Sequence, residues 1–319
     1  MEVRLFLMPK QDFSTSTQPD MCVDLNGLTL KNPITVASGT YGFGREYAEW
    51  IDLNILSAIS VKGLTLEPRE GNEGRRIVET PMGMLNSVGL QNPGVHYFIE
   101  NEIPFLRSYD LKIIANINGN TIEEYCQMAE LLSNADVDSI ELNISCPNVK
   151  NGGLAFGTNP AVVQDVVKRV RKASKKHLIV KLSPNVTDIK EIARIVEAEG
   201  ADCISLINTL SGMGIDIYKR KPFLKRGNGG LSGPAVKPIA VRMVYDVHSA
   251  VKIPILGMGG ISTGEDAVEF MLAGASAIAI GTANFANPLA PKKVLEGLTQ
   301  YLKQYHYDAA KKLTGDLRI

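Results

Sequence analysis

The apolar positions of the chain fall into short runs that end in Gly, Asn, Ser or Lys, separated by longer stretches in which apolar residues recur at helical spacing. Continuous β-branched runs of this kind predict strands covered on both faces, and the stretches between them predict amphipathic helices. Eight strands are expected: ITVASG (34–39), AISVKG (58–63), KIIANING (112–119), SIELNIS (139–145), LIVKLS (178–183), CISLIN (203–208), IPILGMGG (253–260) and AIAIGT (277–282). Helical patterns cover 121–133, 160–174, 188–199, 236–251 and 265–273. The first is opened by Asn120 or Thr121 as cap, with Glu123 and Glu124 in its first turn.

Eight strands, each followed by a helix, in a chain of 319 residues predict an α/β fold of the (β/α)8 TIM-barrel type, with an open doubly wound sheet as the alternative. Ahead of the first barrel strand, MCVDLNGLTLKNP places Asn26-Gly27 between two short apolar runs. That is a β-hairpin signal, expected to cap the closed end of the barrel. Residues 1–20 read as an N-terminal arm, whose apolar patch at 5–8 is too short for a signal peptide, and residues 21–319 as a single domain.

Composition narrows the partners. Lys plus Arg and Asp plus Glu are 34 each, so no basic field exists to attract nucleic acid or an anionic membrane surface. No apolar run approaches the roughly 20 residues that span a bilayer. The cysteines at 22, 126, 146 and 203 lie far apart, without a C-x-x-C pair or a nearby histidine. This predicts a reducing, cytoplasmic setting and no metal site, and it leaves any iron–sulfur cluster to another chain. Cys126 and Cys203 read as small buried hydrophobes, Cys22 as packed under the hairpin. The histidines at 96, 177, 248 and 306 fall in or next to helical patterns.

In a barrel of this type reactive groups sit at the C-terminal ends of strands and in the loops that follow. Ser38, Lys62, Asn116, Asn118, Asn143, Cys146, Lys181, Asn208, Gly259, Gly260, Gly281 and Thr282 all fall there. GMGGISTGEDA after the seventh strand and IGTANF after the eighth let backbone N–H groups approach a phosphate. Lys62 and Lys181 suit the negative charge that a flavin develops on reduction; with the phosphate seat they point to flavin mononucleotide (FMN). Asn86, Asn143, Asn148 and Asn208 offer both donor and acceptor, which suits the edge of a pyrimidine-like ring. Cys146, beyond a strand end in SCPNVKNGG, is placed to act as a base or a nucleophile, and beside a flavin proton removal is the simpler role.

ELNISCPNVK, GMLNSVGLQNPG, VKLSPNVTDI, INTLSG, GGLSGPAVKP, GMGGI and IGTANF, in this order, resemble the class 1 dihydroorotate dehydrogenases over nearly the whole chain. INTLSG and the uninterrupted SCPNVKNGG resemble the type B catalytic subunits in particular. The resemblance implies an FMN-containing barrel that oxidises (S)-dihydroorotate to orotate in de novo pyrimidine (UMP) biosynthesis. Cys146 would take the C5 proton while the C6 hydride passes to FMN. It implies substrate contacts from Lys62, Asn86, Ser87, Val88, Gly89, Leu90, Asn143, Asn148, Asn208 and Thr209. It implies FMN contacts from Ser38, Lys62, Gly63, Asn116, Asn143, Lys181, Ile207, Gly233, Gly259, Gly260, Gly281 and Thr282. Electrons would go to NAD+ through a partner subunit carrying FAD and a [2Fe-2S] cluster, around a homodimer core within a heterotetramer.

Three other readings compete. A type A homodimer would pass electrons to fumarate without a cluster-bearing partner. A phosphate-binding isomerase barrel would share the last two loops but carry no flavin, and a non-catalytic barrel would serve only as a docking scaffold.

Overall fold

The computed structural model describes residues 18–145 and 156–318. The chain enters through a hairpin, β1 (Val23–Asp24) and β2 (Thr29–Leu30), and then alternates β3 (Ile34–Val36), α1 (Arg45–Ala48), β4 (Ala58–Ser60), β5 (Ile77–Thr80), β6 (Gly83–Asn86), α2 (Val95–Tyr97) and α3 (Ile103–Leu106). The middle of the chain is regular: β7 (Lys112–Ile117), α4 (Ile122–Ser133), β8 (Ser139–Asn143), α5 (Pro160–Ala173), β9 (His177–Lys181), α6 (Ile189–Ala198) and β10 (Cys203–Leu206). An excursion follows through β11 (Leu210–Met213), β12 (Ile215–Asp216), β13 (Lys221–Pro222) and β14 (Asn228–Ser232). The chain then completes α7 (Lys237–His248), β15 (Ile255–Met258), α8 (Gly264–Leu272), β16 (Ala277–Ile280), α9 (Ala283–Ala286) and α10 (Ala290–Gln304).

Eight of these strands close into a parallel barrel in the order β10-β15-β16-β3-β4-β7-β8-β9, and they are the eight that the apolar runs predict. They are almost entirely buried because helices cover the outside while side chains fill the inside. Local chemistry sets the helix starts. Thr121 accepts from the Glu124 N–H at 3.1 Å, Asn159 and Asp188 cap α5 and α6, and Thr263 with Asp266 forms a reciprocal capping box on α8. Among the described residues no helix is long and apolar enough to cross a membrane.

The hairpin caps the barrel floor as expected. Leu25, Leu28 and Leu30 are buried, and the Leu25 carbonyl meets His177 Nε2 at 2.5 Å. His177 corrects the sequence reading, since it opens β9 rather than adjoining a helix; its other ring nitrogen meets Ser139 Oγ at 2.8 Å, and burial lowers its pKa. Cys22 is a second correction, being exposed rather than packed beneath the hairpin. Cys203 is buried, and desolvation pushes its thiol far above the ordinary range. Asp20, assigned to the arm, is already tied to the body: its N–H donates to the Asp308 carbonyl at 2.8 Å and its carbonyl accepts from Ala310 at 2.7 Å.

Not every barrel strand is followed directly by a full helix. After β3 the chain forms only the single turn α1 and a 3-10 turn at Leu53–Ile55. After β4 it forms β5 and β6, and after β10 the excursion, which pair across the sequence into a four-stranded antiparallel sheet, β11-β14-β6-β5. Strands such as LSGM and NGGLS are rich in glycine and lack apolar alternation, so period-based reading passes over them. The sheet stands beside the barrel mouth, where β14 pairs β6 through Gly230 and Asn86.

Candidate active site at the barrel mouth

Three strands deliver the amides and one of the ammonium groups. Asn116 near the end of β7, Asn143 at the end of β8 and Lys181 at the end of β9 lie in adjacent strands, and Asn143 is directly in register with Lys181. Asn208, two residues beyond β10, donates from Nδ2 to Asn143 Oδ1 at 3.1 Å, and the Ser145 N–H donates to the same oxygen at 3.2 Å. Tyr125 holds the Asn143 carbonyl with its hydroxyl at 2.7 Å. Asn208 Oδ1 in turn accepts from the Thr209 N–H at 2.7 Å. Ile207 is buried, with its N–H on the Met258 carbonyl at 2.9 Å.

Lys62 follows β4, and its Nζ lies 3.8 Å from where a Cβ on Gly39 would be, so it spans toward the loop after β3. Lys181 is 4 % exposed. Neither ammonium has an ion-pair or hydrogen-bond partner among the described residues. Burial without a counter-charge holds the Lys62 ammonium below the ordinary lysine range. Ser38 occupies the neighbouring rim and donates to the Val61 carbonyl at 2.7 Å. Gly63 must be small, because an added Cβ would stand 2.5 Å from Asn118 Nδ2.

On the other side of β3, three loops converge, those after β14, β15 and β16. A Cβ on Gly260 would come within 2.9 Å of the Gly233 carbonyl oxygen, and Thr282 Oγ1 donates to Ser232 Oγ at 2.8 Å. Gly233, Gly259, Gly260, Gly281 and Thr282 are thereby brought together, and among the described residues none of their N–H groups has a protein acceptor. Such a set of unpaired donors suits a phosphate.

Asn86 ends β6 and donates to the Gly230 carbonyl at 3.2 Å. In the segment after it, Ser87 is anchored by its N–H on the Arg76 carbonyl at 2.7 Å and by Asn72 Nδ2 on its carbonyl and hydroxyl oxygens at 3.0 Å each. Val88 accepts from the Asn72 N–H at 2.9 Å. Gly89 and Leu90 then both take positive φ, 79° and 58°; Leu90 is uncommon in this region, which a β-carbon disfavours. The N–H groups of Val88, Gly89 and Leu90 meet no protein acceptor among the described residues, an arrangement suited to a carboxylate.

Cys146 and Asn148 lie outside the described residues. The other predicted site residues gather at this mouth and in the sheet beside it. Sequence reading passed over Glu141, which is fully buried and accepts from Asn116 Nδ2 at 2.5 Å and Ser205 Oγ at 2.7 Å. Its signal was available: a Glu in an apolar strand, two positions before Asn143 and so on the same inward face. A cavity of about 450 Å³ adjoins Lys62, lined also by Phe43, Arg69 and the Arg45–Glu102 ion pair of 2.7 Å.

The family model described as dihydroorotate dehydrogenase matches residues 20–302. A protein of Alkaliphilus oremlandii named dihydroorotate dehydrogenase B (NAD(+)), catalytic subunit, is 60% identical over 301 residues, covering 94% of this chain and 100% of the relative. Proteins of the same name from Thermoanaerobacter pseudethanolicus and Parabacteroides distasonis are 57% and 54% identical. These alignments cover 93% and 94% of this chain, and 98% and 99% of the relatives. With the predicted barrel found and a family match spanning nearly all of it, the chain belongs to the dihydroorotate dehydrogenase family.

Proposed function

We propose that this chain is the catalytic subunit of an NAD+-linked dihydroorotate dehydrogenase, oxidising (S)-dihydroorotate to orotate in pyrimidine biosynthesis with FMN as its resident cofactor. The observation that carries this reading is the meeting, at one mouth, of two ammonium groups without partners among the described residues, the Asn143–Asn208 amide pair and a seat of N–H donors unpaired among the described residues. The donor set fits FMN. The N–H groups of Gly233, Gly259, Gly260, Gly281 and Thr282 suit its phosphate. Lys62 and Lys181, with Ser38, Gly63, Asn116, Asn143 and Ile207 around them, suit a ring that gains negative charge. When bound, FMN supplies the acceptor for the hydride leaving C6 of the substrate.

The chain's own residues do the rest. The Val88–Gly89–Leu90 N–H groups take the substrate carboxylate, with Asn86 and Ser87 leading into them. Asn143, Asn148, Asn208 and Thr209 present donors and acceptors to the alternating ring edge. Cys146, as thiolate, removes the C5 proton, so that the C5–H electron pair forms the new C5=C6 bond as hydride departs from C6. Buried ammonium groups are worth most where water is excluded, so Lys62 and Lys181 favour the charge-developing state over the ground state.

Likeness to subunits named for NAD+ supports the NAD-linked branch over the homodimeric, fumarate-linked one. It also supports a partner subunit, for which FAD and a [2Fe-2S] cluster are proposed, around a homodimer core in a heterotetramer of the cytoplasm. Anaerobic mixing of the FMN-loaded chain with dihydroorotate tests the first half-reaction. Bleaching of the flavin before any acceptor is added is expected, followed by NAD+ reduction only when the partner is supplied. An FMN-loaded chain that stays oxidised, or one that turns over with fumarate unaided, would overturn the reading.

A further inference from the structure

Beneath the mouth the barrel carries a charge that the proposed reaction does not use. Glu141 points inward from β8 with no exposed surface. Asn116 Nδ2 donates to one of its oxygens at 2.5 Å and Ser205 Oγ to the other at 2.7 Å, so residues of β7 and β10 grip it from either side. Asn118 Nδ2 donates to Asn116 Oδ1 at 2.8 Å. The amides thus run in one direction, from the turn under Gly63 down to the carboxylate. No cation pairs with Glu141 among the described residues, although Lys181, itself buried, projects from the intervening strand and is in register with both Asn143 and Ser205.

A carboxylate held by neutral donors alone is an expensive way to fill a core. Taking it out of water costs several kcal/mol, and an uncharged group of the same shape is commonly at least as stable. Its position in register with Asn116, and one inward step below Asn143 and its register partner Lys181, gives the charge something else to act on.

We propose that Glu141 is a positioning residue that tunes the cofactor: it locks the Asn116 amide with Nδ2 toward it, and its negative charge opposes Lys181 and Lys62 at the mouth that would hold the flavin. This rests on FMN occupying the mouth. Opposing the ammonium groups disfavours the electron-rich reduced ring, keeping the flavin a strong enough reductant to pass its electrons on. Lys62 and Lys181 alone would hold the electrons in place.

The test is the midpoint potential of the FMN-loaded chain, read anaerobically at mildly alkaline pH against a dye of known potential, with FMN content measured first. Glu141→Gln keeps an acceptor for Asn116 and offers Ser205 a donor, so only the charge is lost. The expected result is at least a tenfold rise in the ratio of reduced to oxidised flavin at fixed potential, about 30 mV for a two-electron couple. Ser205→Ala leaves the charge but strips one donor from it, and is expected to move the potential down. Opposite shifts support the proposal, because general loosening of the site would move both variants together. An FMN-loaded E141Q at the wild-type potential would overturn the role of Glu141 while leaving the FMN reading intact; a wild-type chain that takes up no FMN overturns both. Should E141Q fail to fold, a lowered S205A potential still supports the proposal, and an unchanged one reduces Glu141 to a structural part.

Discussion

Asn208 donates its side-chain N–H to Asn143 Oδ1 at 3.1 Å, joining the end of β8 to the segment beyond β10 across the intervening β9, whose Lys181 is in register with Asn143. The contact fixes which way the Asn143 amide faces, since its oxygen is held by Asn208 and by the Ser145 N–H. Replacing Asn208 by Ala leaves that amide held by the Ser145 N–H alone and removes a donor–acceptor pair from the ring-recognition surface. Orotate affinity, followed by the perturbation of the flavin spectrum, is expected to fall about tenfold or more, the range of one hydrogen bond lost at a buried site. Unchanged affinity would remove Asn208 from the substrate site.

Lys62 carries a proton that the ligand-free protein holds weakly. Its pKa is lowered from 10.5 by burial, so between the folded value and 10.5 the unfolded chain binds more protons and stability rises with pH across that window. At neutral pH the buried charge is a net burden on the fold. Lys62→Met is therefore expected to raise the melting temperature of the ligand-free chain, by about 1.5 °C for each kcal/mol relieved. The gain over wild type should shrink as pH approaches 10.5, while flavin reduction by dihydroorotate becomes slower. A melting temperature that falls at neutral pH would contradict the unpaired state of Lys62.

Gly63→Ala places a methyl group 2.5 Å from Asn118 Nδ2, and the displaced amide loses its grip on Asn116. Overpacking of this kind costs roughly 1–3 kcal/mol. Purified G63A is expected to unfold earlier and to carry less FMN, measured as the ratio of flavin to protein absorbance. Full occupancy would show that the Asn118–Asn116 pair has room to shift.

Cys146→Ser tests the assigned base. A hydroxyl is a far weaker base than a thiolate, and removal of a general base commonly lowers rate by about 10²–10⁴. Stopped-flow bleaching of the flavin by dihydroorotate should slow by two or more orders of magnitude with FMN content unchanged. Retention of the wild-type rate at neutral pH would place the base elsewhere.

Thr263→Ala serves as a contrast remote from the chemistry. It deletes the hydroxyl that accepts from the Asp266 N–H at 3.2 Å and breaks the capping box of α8. A loss of about 1 kcal/mol is expected, read by denaturant unfolding, with flavin content and reduction rate preserved.

The amino-acid sequence by itself determined the eight barrel strands, the capping hairpin and most of the rim. Those features are local: a strand covered on both faces must be apolar along its length, and strand ends in a parallel barrel all face one way. Lys62, Asn143 and Lys181 were legible because each interrupts an apolar run at its end. Tertiary structure decided what such rules cannot reach. Alternation puts Glu141 on the face of Asn143, but its partners Asn116 and Ser205 come from strands 25 and 64 residues away, and only closure and register bring them to it. The sheet beside the mouth forms only because β14 returns to β6 across 144 residues, through glycines that carry no periodic signal. Cys22 turned outward and His177 settled in the barrel floor for the same reason. The direction of a side chain is set by the register of neighbouring strands, and register is a property of the closed barrel rather than of any one segment.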